Sequence, residues 1–285
     1  SVEMHKPAMR MVRPGIKESE VAAAVTEVAM RHGGNLSFPV IATINGQTLH
    51  NHAYGTEPLK EGQMFLLDSG CENAMHYAGD LTTTMPVGKQ FTEQQRTVCN
   101  ILRRAHLTAL DNIKPGIEYR EVHKFVLTEI AKGMIDLGLM KGDPVEATIK
   151  GATCMFMPHG LGHGMGMDVH DLENIGERSF DFSTVAERAA KSATCIHRGS
   201  WRVEPGTVMS DEPGIYFIPA LIDKCRAEGK FTDIVNYDAL ESFRNFGGIR
   251  IEDDVLVTET GSRFIGDKLL PLTVEELEAV VGSLK

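Results

Sequence analysis

Long apolar runs are missing from this sequence, and so is any excess of positive charge. The longest apolar stretches, such as Met64 to Leu67, suit buried strands rather than a bilayer-crossing helix of about 20 residues. Lys and Arg total 29 against 39 Asp and Glu, a formal net charge of −10. The basic face that nucleic acid or an anionic membrane would require is therefore lacking, and neither is an expected partner. Cysteine is sparse: Cys71, Cys99, Cys154, Cys195 and Cys225 form no CxxC pair and are odd in number. They read as reduced, mostly buried thiols of a cytoplasmic protein. The N-terminus, Ser1-Val2-Glu3-Met4, has neither the basic stretch nor the apolar core of a signal peptide. It runs straight into helical spacing, as if cut within a larger protein, which leaves room upstream for a targeting segment.

What is present is a chain of 285 residues, 42% apolar, long enough for a substantial core. One internal echo organises it. Arg13-Pro14-Gly15-Ile16 is followed by Glu20-Val21, and Lys114-Pro115-Gly116-Ile117 by Glu121-Val122 at the same spacing. Each leads into an amphipathic helix, predicted over Glu18 to Arg31 and over Tyr119 to Leu137, with glycine at the stop. Duplication explains the match, and two similar halves would form a cleft at their seam. Strands are predicted at Phe38 to Ile44 (meeting an Asn45-Gly46 hairpin turn), Gln63 to Ser69, Met75 to Met85, Thr207 to Phe217 and Gly248 to Thr258. Capping boxes place helix starts at Thr92 with Gln95 and at Thr273 with Glu276. No linker or low-complexity segment interrupts the chain, so residues 1–285 read as one α+β domain.

Four carboxylates sit where strands should be apolar: Asp68, Asp80, Glu212 and Glu252. A buried acid needs a cation, a proton or a surface position. Beside them stands His159-Gly160-Leu161-Gly162-His163-Gly164-Met165-Gly166-Met167-Asp168-Val169-His170, too rich in glycine for a regular helix. Together these groups read as one metal centre, and the carboxylates suit Mn²⁺, with Zn²⁺ or Co²⁺ as alternatives. His50 and His52 offer a further imidazole, and the residues alone do not choose between them.

In this order, Asp68, Asp80, the His-Gly-Leu-Gly-His block, Ser210-Asp211-Glu212-Pro213-Gly214 and Gly248-Ile249-Arg250-Ile251-Glu252-Asp253-Asp254 resemble the metallopeptidases of the pita-bread fold, the M24 family. The likeness covers nearly the whole chain. It implies a curved antiparallel sheet in two pseudo-symmetric halves with helices outside. It also implies that Asp68, Asp80, His163, Glu212 and Glu252 bind two divalent metal ions, with Asp80 and Glu252 bridging them. Methionine aminopeptidases share that pattern, but Asp168-Val169-His170-Asp171 and Arg250 to Asp254 are similar to the proline-directed branch, prolidase and aminopeptidase P. In that branch the histidine after Asn-Gly-x-x-Leu lines the substrate pocket, which selects His50, and His159 and His170 match two further pocket histidines.

The stretch from 212 to 218 and the insertion before Phe243 are more like prolidase, and Arg198 falls where prolidases bind the free carboxylate of the substrate, with Arg202 as a fallback. Arg250 is placed with the substrate-binding residues. The resemblance thus implies a proline dipeptidase, with an aminopeptidase acting on longer proline peptides as the alternative. A metal-free creatinase-like hydrolase and a non-catalytic binding relative are the remaining readings, and five intact ligand positions speak against both. Glu212 would take the proton from the attacking water, while His159 and His170 steady the carbonyl. The substantial N-terminal domain of prolidases is not found in this sequence, and a homodimer is the assembly the resemblance suggests.

Overall fold

The computed structural model describes residues 1–173, 201–266 and 269–283. In the first half, α1 (Val2–Met11) and α2 (Glu18–Arg31) precede β1 (Ile41–Thr43), β2 (Met64–Asp68) and β3 (Thr82–Pro86). In the second, α3 (Glu93–Asn112), α4 (Tyr119–Asp136) and the short α5 (Pro144–Ile149) precede β4 (Val208–Asp211) and β5 (Gly214–Tyr216). Then come α6 (Pro219–Ala227), α7 (Tyr237–Leu240), β6 (Gly248–Arg250), β7 (Asp253–Val257), β8 (Ser262–Phe264) and α8 (Val274–Val280). The architecture is α+β.

The duplication is visible in individual hydrogen bonds. Gly15 N–H donates to Leu59 O (2.9 Å) and Leu59 N–H to Ile16 O (2.7 Å). In the second half Gly116 N–H donates to Val203 O (2.8 Å) and Val203 N–H to Ile117 O (3.0 Å). Both turn glycines take positive φ, +95° and +86°, a conformation that a Cβ disfavours. Each Pro-Gly-Ile turn therefore ties the start of a helix to the chain entering a ligand-bearing strand.

The sheets are antiparallel. β1, β2 and β3 form one, β4, β7 and β8 a second, and β5 pairs with β6. The halves join where Glu252 N–H donates to Thr82 O (3.1 Å) and Thr82 N–H to Glu252 O (3.4 Å). Behind the sheets lie α3 and α4. Val98, Ile101, Leu102, Ala105 and Ala109 on one, and Val122, Val126, Ile130 and Met134 on the other, recur at helical spacing and are buried. Each large aliphatic side chain so buried contributes about 1.5–3 kcal/mol. Gly133 sets the close crossing, since a Cβ there would stand 2.4 Å from Ile101 Cγ2.

The helix predictions hold, down to the capping boxes at Thr92 and Thr273. The strand predictions were too long. Phe38 to Ile44 shrinks to β1, which pairs with the distant β2, and Asn45 leads into a 3₁₀ turn rather than a hairpin. Gly46 packs there against the β6 backbone, with a Cβ position only 2.3 Å from Gly248 O. Met75 to Met85 keeps only its end as β3, because the Asn73 side chain closes a turn by accepting from Met75 and Tyr77 N–H (2.8 and 3.1 Å). The two C-terminal stretches each split in two, at Glu212-Pro213 and Ile251-Glu252. Cys71, Cys99 and Cys225 are free thiols, whereas Cys154 is disulfide-bonded, against the expectation of reduced cysteines throughout. Among the described residues no helix is long and apolar enough to cross a membrane.

Candidate metal centre

Four short breaks in regular structure build the site. Asp68 ends β2, and the chain returns through a tight connection in which a Cβ on Gly70 would lie 1.7 Å from Gly79 O. That connection delivers Asp80 two residues before β3. Glu212 and Glu252 occupy the breaks between β4 and β5 and between β6 and β7. The glycine-rich block is extended rather than helical and runs beside β4. Glu212 N–H donates to Leu161 O, Ser210 N–H to His163 O, and Met165 N–H to Val208 O, at 2.9–3.0 Å. Gly162 permits this approach, because a Cβ would meet Ser210 O at 2.1 Å. His163 is thereby held opposite Ser210, whose Oγ accepts from its N–H (3.0 Å).

All five residues line one open cavity of about 230 Å³, together with His50, His52, His159, His170 and Arg250. Oxygens of Asp80 and Glu252 and a ring nitrogen of His163 lie within 4.8 Å of one another. His163 Nε2 stands 3.6 Å from Asp80 Oδ2 and 3.6 Å from Glu212 Oε1. Its Nδ1 lies 3.2 Å from Gly164 O, a contact that places the proton on Nδ1 and the Nε2 lone pair toward those oxygens. Lone pairs facing lone pairs at this range call for a cation between them, and donors about 2.0–2.2 Å from one ion would be spaced this way. Among the described residues no hydrogen-bond donor reaches the buried Asp68 Oδ1 or Asp80 Oδ1, which suits oxygens that would ligate a cation. The residues present fit a divalent metal centre.

The electrostatics agree. Burial, then the charges of Asp68, Glu212 and Asp254, push the Asp80 carboxyl well above its usual range. Glu252 is raised for the same reasons, with Asp80 its strongest neighbour. Neighbouring groups fix the orientation of two of the acids. Thr82 Oγ1 donates to Glu252 Oε2 (2.6 Å), and Arg250 Nη2 donates to Asp68 Oδ2 (2.6 Å).

His50, His159 and His170 line the cavity wall. His170 stacks on His163 with ring centroids 3.7 Å apart, and its Nδ1 lies 2.8 Å from Glu173 Oε2. His159 Nδ1 donates to Gly160 O (2.7 Å), and burial lowers its pKa to about 3, so the ring is neutral. Its Nε2 therefore accepts from the Tyr216 hydroxyl (2.9 Å), which in turn accepts from Arg250 Nη1 (3.1 Å). His50 and His52 both line the cavity, although the family likeness selected only His50. Arg198 lies outside the described residues, and Arg202 is bonded away from the cavity, to Gly116 O and Glu118. Tyr216 and Thr82 were missed. A tyrosine three residues after a strand-breaking Glu-Pro was the available signal for the first, and a threonine two residues after Asp80 is no signal at all.

A duplicated α+β scaffold with four acids and an imidazole converging at its seam defines a metal-binding enzyme architecture. A model of metallopeptidase family M24 matches residues 1–259, and the chain belongs to that family. It is 34% identical to a mouse Xaa-Pro dipeptidase, across 99% of this chain and 57% of that protein. It is 32% identical to the Xaa-Pro aminopeptidase of Escherichia coli K12, across 97% of this chain and 54% of that one. The solved structure of the Pseudomonas aeruginosa aminopeptidase PepP is similar with a TM-score of 0.78 at 30% identity, covering 98% of this chain and 55% of that one. The chain thus spans little more than half the length of these relatives.

Proposed function

We propose that residues 1–285 form one catalytic domain that hydrolyses Xaa-Pro peptide bonds at a pair of divalent cations, with Mn²⁺ the favoured metal and Zn²⁺ or Co²⁺ able to replace it. The observation that carries this reading is the convergence of Asp68, Asp80, His163, Glu212 and Glu252 on one cavity, in a chain of family M24. When bound, the cations would polarise the scissile carbonyl and supply an activated water. An Xaa-Pro bond is a tertiary amide without an N–H, so the site cannot grip it by a backbone donor at that nitrogen. The protein's own groups do the rest. Glu212 is the most exposed of the four acids, its side chain 20% accessible against 9% or less for Asp68 and Asp80, which supports assigning it to accept a proton from a water entering the cavity. His170, half-exposed at the cavity rim, is the group assigned to orient the substrate carbonyl. His159, held neutral and aimed by Tyr216, steadies the wall against which the carbonyl rests, and His50 holds the proline end. Asp80 and Glu252, at the seam, would hold the cations together with Asp68, His163 and Glu212.

Dipeptidase specificity is the finer reading, with Arg198 receiving the substrate carboxylate. Identity to a Xaa-Pro dipeptidase and to Xaa-Pro aminopeptidases is similar in degree, and an E. coli aminopeptidase P has been solved with the inhibitor Pro-Leu, so the longer-peptide alternative stands beside it. Turnover of Ala-Pro, Ala-Pro-amide and a longer Ala-Pro peptide separates them. A dipeptidase hydrolyses the first at least about tenfold faster than the other two, the scale of one lost charge-assisted pair. Equal rates would assign the chain to the aminopeptidase branch. A soluble homodimer in the cytoplasm is the assembly and location proposed with this function.

Protons compete with the metal. Asp80 and Glu252 have raised pKa values in the metal-free fold, so protons compete with a cation for them more strongly than they would for ordinary carboxylates. For acids raised on folding, the folded state binds more protons than the unfolded one, and metal-free stability falls as pH climbs through that window. Both effects act in one direction. The Tm gap between Mn²⁺-loaded and metal-free chain is expected to widen from pH 6 to pH 8. A gap that stays constant or narrows would show that these acids do not hold the ions.

A further inference from the structure

The repeat has a second echo, on the helix that precedes each Pro-Gly-Ile turn. His5 stands eight residues before Arg13 (5 to 13) and His106 eight before Lys114 (106 to 114). Both rings are completely buried. Each is turned toward a residue adjoining a proposed ligand. His5 Nε2 lies 3.1 Å from Ser69 Oγ and 3.3 Å from Ser69 O, and Ser69 directly follows Asp68. His106 Nε2 lies 3.4 Å from Asp253 Oδ2 and 3.7 Å from Asp211 Oδ2. Asp253 directly follows Glu252, and Asp211 directly precedes Glu212.

In an extended chain neighbouring side chains take opposite faces. The ligands face the cavity, so their neighbours face the helix layer behind, where the histidines stand. Arg103 Nη1 donates to His106 Nδ1 (2.7 Å), which leaves the ring proton on Nε2, toward the two acids. Burial lowers the pKa of His106 to about 3 and that of His5 to about 4, so both rings are neutral. Among the described residues neither oxygen of Asp211, nor Asp253 Oδ2, nor His106 Nε2 has a hydrogen-bond partner. The ring nitrogen and the two acids face one another across a gap of 3.4–3.7 Å. An apolar side chain would fill either helix position without these polar demands. Two buried imidazoles at matching positions of two halves are placed where a shift of the ring moves a ligand.

We propose that His5 and His106 are positioning residues of the metal centre, His5 fixing the strand end that carries Asp68 and His106 the paired strand ends that carry Glu212 and Glu252. Through the ligands they set how tightly the cations are held. This rests on the metal-centre reading above, and the test keeps the two apart. The full chain, stripped of metal, is titrated with Mn²⁺ alone by calorimetry, and its metal-free melting is recorded in parallel. Wild type binds Mn²⁺; if it does not, the metal-centre reading itself fails. His106→Leu and His5→Leu are expected to weaken Mn²⁺ binding by about 10–100-fold, the scale for groups that orient a metal ligand, while His106→Gln, which keeps an N–H near the place of Nε2, stays within about threefold. Where a leucine variant does not fold, the asparagine variant takes its place, since its shorter amide withdraws the donor from that position. Mn²⁺ affinity unchanged in the leucine and asparagine variants, with only metal-free melting altered, would make the histidines plain core residues and overturn the proposal.

Discussion

Stripping the chain of divalent cations with a chelator is expected to reduce Ala-Pro hydrolysis to background, and added Mn²⁺ to restore it. The reason lies in what the site lacks on its own. Among the described residues its cavity offers four carboxylates, five imidazoles, of which the His163 lone pair faces the acids, and a single guanidinium whose bonds run to Asp68, Thr82 and Tyr216. Nothing in that set both polarises a tertiary amide carbonyl and generates a nucleophile at neutral pH. Two cations would do both. Replacing one proposed ligand, Glu252→Ala, should lower the rate by at least about 10³-fold, the upper scale of losing one preorganised electrostatic group. It should also lower the metal content of the purified chain. Turnover at the full rate in a sample whose metal content is negligible would remove the basis for the proposed chemistry.

Much of this centre was legible because it breaks rules that the rest of the chain obeys. Acids inside apolar strand patterns, at Asp68, Glu212 and Glu252, are conflicts between local pattern and burial, and such conflicts collect at functional sites. The same acids also misled the strand predictions. Glu212 and Glu252 end strands instead of sitting within them, because the chain must turn aside there to present a carboxylate to the cavity. The helices were read closely since their signals are local: a capping threonine, a 3.6-residue period, a terminal glycine. Pairing was not local. That β1 joins β2 and that Thr82 meets Glu252 across 170 residues depends on contacts no window contains. Tyr216 and Thr82 escaped for the same reason. Their roles come from what they touch, His159 and Arg250 for one and Glu252 for the other. The buried histidines of α1 and α3 left a trace in the repeat spacing, but their meaning needed the positions of Ser69, Asp211 and Asp253.

Arg250→Ala is expected to cost about 3–5 kcal/mol of metal-free stability, as removing one partner of a buried ion pair does. Arg250 is 3% exposed, and its partner Asp68 is buried as well, so solvent does little to soften the loss. Three of its donors are in use, to Asp68 Oδ2 (2.6 Å), Thr82 Oγ1 (3.2 Å) and the Tyr216 hydroxyl (3.1 Å). Its guanidinium pKa stands well above the ordinary value, against the lowering effect of burial, because Tyr216, Asp68, Glu252 and Glu212 surround it. Arg250→Lys should recover little, since one ammonium cannot span three acceptors that a planar fork reaches together. Occupancy of the metal centre changes the size of the effect. A cation beside Asp68 compensates part of the orphaned charge, so the loss should be smaller in the Mn²⁺-loaded chain than in the metal-free one. Activity should still fall, because Tyr216 loses the donor that helps orient it and His159 loses a fixed partner. Urea unfolding of wild type and variant, with and without Mn²⁺, measures the stability losses, and Ala-Pro turnover measures the activity. Equal losses in both forms would mean that Arg250 serves the fold alone and that Asp68 feels no bound ion.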